Sequence, residues 1–201
     1  GKPFLYSSGA LTHSYPADEW IDETKPARPC LLARGHAEMV TELKELERNQ
    51  GLRVIILSPG FVYGPGGFLK MTVEMLQQRR YRVIGTGQNY WSLVHVDDVS
   101  EAYTLALERG RPGANYFLAD DQPMRRREVI DCVTDALGLP PAGHVPSWLI
   151  GLLLGFPLVE AITASQRLRN DRAKRELGWQ PHYASFAKGL GAVLREMGVK
   201  Q

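Results

Sequence analysis

Val54-Ile55-Ile56-Leu57 is a short unbroken apolar run, β-branched at its first three positions. Ser58-Pro59-Gly60-Phe61-Val62-Tyr63-Gly64-Pro65-Gly66-Gly67 follows it directly. An apolar run of this length, closed by Pro and Gly, reads as a strand buried on both faces. Strands of that kind belong to parallel sheets covered by helices, so the run confines the chain to α/β architectures. Open α/β sheets bind ligands in loops at the carboxyl ends of their strands. The Gly/Pro-rich loop is in that position, but its composition is equally that of a plain connection.

The neighbouring segments fit the same class. Phe4 to Ser7 reads as a second strand ending in small polar residues. Pro16 to Pro29 is polar, Pro-rich loop. Ala33 to Asn49 has helical spacing, with Ala37, Val40, Leu43 and Leu46 on one face, and Gly51 ends it. Strand, helix and strand make a βαβ unit, normally right-handed. Helices are expected over Phe68–Arg79, Asp98–Arg109, Arg126–Leu137, Asp171–Leu177 and Phe186–Met197. Strands are expected over Tyr81–Ile84, Trp91–Val96 and Asn115–Leu118. The resulting fold class is α/β: the last strands of an incomplete Rossmann-like parallel sheet with a mainly helical lobe. The 201 residues suffice for one core or one core plus a small lobe, and the lobe is assigned mainly to 68–95 and 120–201.

Composition narrows the partners. A net charge of +2 with 23% charged residues gives no reason to expect nucleic acid or an acidic membrane, which select clustered basic charge. The densest basic cluster, Arg125-Arg126-Arg127, is expected on a solvated face at a helix start. Cys30 and Cys132 have no zinc or disulfide-framework spacing. No basic-then-apolar signal sequence opens the chain, so a cytoplasmic location is expected. Val145 to Ile162 is very apolar but broken by Gly151, Gly155 and Pro157. It reads as a buried or cleft-lining helix pair rather than a membrane span.

Four segments resemble the extended short-chain dehydrogenase/reductase group, the NAD(P)-dependent epimerase/dehydratase family. They are Phe4-Leu5-Tyr6-Ser7-Ser8, Pro59-Gly60-Phe61-Val62-Tyr63-Gly64-Pro65, Leu93-Val94-His95-Val96-Asp97-Asp98-Val99, and Asn170-Asp171-Arg172-Ala173-Lys174-Arg175-Glu176-Leu177-Gly178-Trp179-Gln180-Pro181. The resemblance implies hydride transfer between NAD or NADP and a hydroxyl-bearing carbon of a small molecule, often a nucleotide-linked sugar. It implies cofactor contacts at Ser7, Ser8, Arg34, Pro59, Gly60 and Val62, and substrate contacts at Tyr63, Tyr90 and Trp91. Tyr63 and Gly64 would lie near the nicotinamide, or merely shape the turn; Tyr90 and Trp91 would line the cleft, or only pack.

Two departures from the family pattern bear on activity. Family members hold the cofactor pyrophosphate on a strand–GxxGxxG–helix unit, whose backbone amides and helix N-terminus bind the anion. No such spacing occurs here, so the chain is expected to be a fragment or a natural truncation. Phe4 to Ser7 then becomes a sheet edge, open to homo-oligomerisation or to a missing N-terminal half. The family's Tyr-x-x-x-Lys pair, one helical turn apart, falls on Cys30 and Arg34, counting back from Glu38. The catalytic Ser/Thr falls on Gly9. Cys30 could ionise beside a cation, and Arg34 could bind a ribose or phosphate but cannot lose a proton. Alternatively, Cys30 is a small half-buried residue and Arg34 pairs with Glu38 at i,i+4. His95, beside Asp97 and Asp98, is either catalytic or a neighbour of Asp97 as helix cap. The rival to an enzyme is a binding module that kept the fold and lost the chemistry.

Overall fold

The apolar run at 54–57 is the middle of a three-stranded parallel sheet. The computed structural model describes residues 2–199. In chain order, β1 (Phe4–Ser7) is followed by a 3-10 turn (Ala10–Thr12), β2 (Trp20–Ile21), a second 3-10 turn (Leu31–Ala33) and α1 (Arg34–Gln50). Next come β3 (Val54–Pro59), β4 (Phe61–Tyr63), α2 (Gly67–Gln77), β5 (Arg82–Ile84), β6 (Tyr90–Trp91), β7 (Leu93–His95), α3 (Val96–Arg109) and β8 (Asn115–Leu118). The remainder is β9 (Met124–Arg125), α4 (Arg126–Ala136), β10 (Gly143–Val145), α5 (Ser147–Leu154), α6 (Phe156–Thr163), β11 (Arg167–Leu168), α7 (Asp171–Leu177) and α8 (Phe186–Glu196).

The sheet order is β1-β3-β8, with Ile56 opposite both Tyr6 and Asn115. Val54, Ile55, Ile56 and Leu57 are fully buried. Side chains alternate across a strand, and both faces here are covered. Val54 and Ile56 pack with Val40, Leu43 and Leu46 of α1. Ile55 and Leu57 pack with Ala102, Ala106, Tyr116 and Trp179. Each fully buried aliphatic side chain is worth about 1.5–3 kcal/mol, which makes β3 the anchor of the fold. By contrast β1 has one strand partner among the described residues, and Phe4 is 47% exposed.

The lobe has its own core, in which Leu69 and Val73 of α2 meet Val129, Ile130 and Val133 of α4 and Phe186, Leu190 and Leu194 of α8. Short strand pairs thread it: β5 with β10, β6 with β9, and β2 with β11. The Gly/Pro-rich stretch after β3 is not plain loop, because β4 forms there and pairs in parallel with β7. Gly60 permits this: a Cβ there would lie 2.1 Å from the Ser92 carbonyl oxygen, which accepts a hydrogen bond from the Phe61 amide at 2.8 Å.

Four expectations need correction. The strand expected over Trp91–Val96 is interrupted at Ser92, whose Oγ donates to the Gln166 carbonyl and accepts from the Leu168 amide. α3 begins at Val96, and its cap is His95, whose Nδ1 accepts from the Asp97 amide at 3.2 Å. Arg126 does start a helix but is buried, not solvated. Its guanidinium lies over the Trp91 ring and donates to the Ile84 carbonyl and the Tyr81 hydroxyl. α5 is also not buried, since Trp148, Leu152, Leu153 and Leu154 are each at least 60% exposed, as is Phe156 at the start of α6, whereas α6 buries Val159 and Ala161.

Candidate functional site

A cavity of about 300 Å³ opens at the carboxyl ends of β1 and β3. Its wall is formed by Ser8, Gly9 and Ala10 after β1, Leu32, Ala33 and His36 at the start of α1, Pro59, Gly60 and Phe61 after β3, and Gln166 from the lobe. The Ser8 hydroxyl and both ends of the Gln166 amide have no hydrogen-bond partner among the described residues. His36 Nδ1 is paired with the Tyr6 hydroxyl at 2.8 Å, and the Thr12 hydroxyl donates to the Gly9 carbonyl at 2.8 Å. No carboxylate or cation lines this cavity among the described residues. Its chemistry is therefore that of a neutral, hydrogen-bonding ligand against apolar walls.

The six expected cofactor contacts do not fall together. Ser8, Pro59 and Gly60 line the cavity. Ser7 instead hydrogen-bonds the Tyr103 hydroxyl of α3, and Val62 is exposed outside it. Arg34 is exposed at the first turn of α1. No Arg34–Glu38 ion pair forms among the described residues, so the alternative reading of Arg34 as half of a helix pair is not realised. Cys30 is buried rather than half-buried, at 1% exposure, in a cluster with Ala33, Ala161 and Leu11. Neither Cys30 nor Arg34 lines the cavity. Gly9 does, and a Cβ at Gly9 would meet nothing within 4 Å.

The expected substrate residues divide in the same way. Tyr63 is in the lobe core, edge-on to His95 and Phe186, and does not face the cavity. Burial raises its phenol pKa well above the ordinary range, the nearby Asp120 and Asp98 carboxylates adding to the shift. Trp91 is buried and stacks on Phe61 at 4.2 Å, so it shapes the cavity wall from behind. Tyr90 is half-buried, with the Arg167 guanidinium 4.7 Å from its ring centre. The same Arg167 lies 4.4 Å from the centre of the Trp20 ring. Sequence reasoning missed Arg167 and Gln166, which belong to no motif weighed at that point.

His95, Asp97 and Asp98 build the lobe joint. Asp98 is buried, and its carboxylate accepts from the backbone amides of His182 and Tyr183 at 2.7 and 3.3 Å. Its carbonyl accepts from the Trp179 indole at 2.8 Å. Asp120, also buried, accepts from the Gln122 amide through Oδ1, while Oδ2 has no hydrogen-bond partner within ordinary distance among the described residues. Burial pushes the Asp120 carboxyl up to about 8. Among the described residues, no group of three or more His, Cys, Asp or Glu side chains is placed to hold a metal, and no helix is long and apolar enough to cross a membrane.

This arrangement of sheet, cavity and lobe is one with known relatives. Residues 4–119 match the model of the NAD dependent epimerase/dehydratase family, and the chain belongs to that family. It is 30% identical to the 3-diazoavenalumate denitrifying reductase of a Streptomyces species, over 85% of this chain and 58% of the relative. It is 28% identical to the 4-hydroxy-2-methyl-3-oxo-4-farnesyl-3,4-dihydroquinoline-1-oxide ketoreductase of Stigmatella aurantiaca, over 89% of this chain and 60% of the relative. The structure superimposes on the NAD-bound dTDP-glucose 4,6-dehydratase of Streptomyces venezuelae with a TM-score of 0.80 and 23% identity, covering 96% of this chain and 59% of that one. At that identity the likeness is one of fold. The chain spans about three fifths of the length of the curated relatives it matches.

Proposed function

We propose that this chain carries the substrate lobe and one cavity wall of an NAD(P)-dependent oxidoreductase, and that it is catalytically impaired. The single observation behind this is the cavity after β1 and β3. Its unpaired Ser8 and Gln166 groups suit the neutral nicotinamide end of the cofactor or a substrate oxygen, while the positions that the family resemblance assigns to acid–base residues hold Gly9, Cys30 and Arg34. When bound, the cofactor supplies or accepts hydride at a hydroxyl-bearing carbon. Ser8, Pro59 and Gly60 would hold its nicotinamide end. No residues with the family's pyrophosphate-loop spacing occur in the chain, so the other end of the cofactor has no counterpart here. Arg167 between Trp20 and Tyr90 makes a nucleotide-linked sugar the substrate class to test first.

A binding module that no longer turns over is the second reading. The observation favouring it is Cys30, which is packed under Ala161 of α6 and away from the cavity. Titration calorimetry with NAD and NADP tests the cofactor side of both readings. Weak or no binding to the chain alone is expected. A dissociation constant in the low micromolar range, about −8 kcal/mol, would show that a pyrophosphate site exists elsewhere and overturn the proposal.

A further inference from the structure

α5 carries a surface that the cavity and the sheet do not use. Leu152, Leu153 and Leu154 are 70%, 68% and 64% exposed, and Trp148 and Phe156 are each 60% exposed. Residues 145–159 contain no charged side chain. The hairpin that presents them is tightly made: a Cβ at Gly151 would lie 2.6 Å from the Phe156 ring, so only glycine lets α6 close onto α5. From this we propose that α5 docks the protein onto an anionic membrane surface, with its leucines in the outer part of one leaflet.

Geometry favours lipid over a second protein surface. Three consecutive residues on an α-helix point about 100° apart and sweep about 200° of its circumference. The apolar stripe that a helix turns toward a packed partner is about 100° wide. A fluid hydrocarbon surrounds a helix end, and a flat partner does not. Eight residues of α5 reach about 12 Å, far short of the ~30 Å needed to span, so the helix dips rather than crosses. Trp148 at its start is the residue type favoured at the headgroup level.

Charge agrees with this occupant. The strand pair β5–β10 runs into α5 through Pro146 and carries exposed Arg82 opposite Gly143, with exposed Arg79 and Arg80 just before it. Arg82 is about one short strand, ~10 Å, from the start of α5, where Trp148 would meet the headgroups, so anionic headgroups there lie within its electrostatic reach. This docking runs against the expectation of no membrane partner, which rests on the net charge of +2 alone.

Flotation of the purified chain with phosphatidylcholine vesicles, with and without phosphatidylglycerol, tests it. The chain should float with the anionic vesicles, and combined Leu152→Ser, Leu153→Ser and Leu154→Ser should lower binding about tenfold or more. Combined Arg79→Ser, Arg80→Ser and Arg82→Ser should weaken binding to anionic vesicles only. Should the leucine variant misfold, quenching of tryptophan fluorescence by brominated lipid decides, with Trp148→Phe as control. Quenching that disappears in Trp148→Phe supports docking, and no quenching of the unmodified chain overturns it. Failure to float overturns it as well. Concentration-dependent self-association that the leucine variant abolishes, without flotation, would assign the surface to a second copy instead.

Discussion

The joint around Asp98 and the segment from Cys30 into the first turn of α1 differ in how tightly their side chains are engaged. At the joint His95 and Asp98 are both engaged: Asp98 holds the His182 and Tyr183 amides, its carbonyl holds Trp179, and His95 caps α3. Before and at the start of α1, the two residues proposed to stand at the acid–base positions are separated: Cys30 is packed away, and Arg34 is exposed and unpaired among the described residues. A scaffold can lose its chemistry without losing its packing, because different side chains maintain the two.

The sharpest way to break this comparison is Asp98→Ala. It leaves the His182 and Tyr183 amides without their buried acceptor while the backbone carbonyl that holds Trp179 stays, and each lost bond to a charged acceptor costs ~1.5–3 kcal/mol. We expect a loss of about 4 kcal/mol of unfolding free energy by urea denaturation. A loss below about 1 kcal/mol would mean that the joint is not what holds the lobe tail.

Asp120 offers a smaller, pH-dependent effect. Its carboxyl rises from 3.8 to about 8 on folding. A raised folded-state value gives stability that is full below the unfolded value and is lost as pH rises through the folded one. The protein should therefore weaken between about pH 4 and pH 8. Asp120→Asn should flatten that slope, matching the parent near the acid end and exceeding it at the alkaline end. Thermal melts across the range check it, and an unchanged slope would contradict the assignment. The smallest effect belongs to α1: Arg34→Ala should change stability by under ~0.5 kcal/mol, and a larger loss would reveal a partner that the comparison denies.

Much of the sheet was legible because its signals are local. The β-branched run at 54–57, the Asn115–Leu118 strand and the Asp171–Leu177 helix are written in their own residues. β4 was not legible, since it exists only because Gly60 lets the chain approach Ser92, some thirty residues on. Arg126 reads as solvated from its basic neighbours; its burial depends on Trp91, Tyr81 and Ile84, which the fold brings in from elsewhere. The leucines of α5 read as core by composition, and only the tertiary structure exposes them. In the site, Ser8, Pro59 and Gly60 were visible through the family motifs. Gln166 was not, because a single amide facing a cavity leaves no pattern in a sequence. The depth of Cys30 is likewise set by α6 rather than by its own segment.

The central claim is that the fold persists while the acid–base chemistry has gone. It is tested most directly by completing the chain with a strand–GxxGxxG–helix half and measuring NAD(P)H oxidation against a panel of ketones and nucleotide-linked sugars. The unmodified completed protein should show negligible turnover. Combining Gly9→Ser, Cys30→Tyr and Arg34→Lys should raise the rate by about a hundred- to ten-thousand-fold, the usual contribution of general acid–base catalysis. Turnover of about 10 s⁻¹ by the completed protein with Gly9, Cys30 and Arg34 in place would contradict the claim and show that another residue moves the proton.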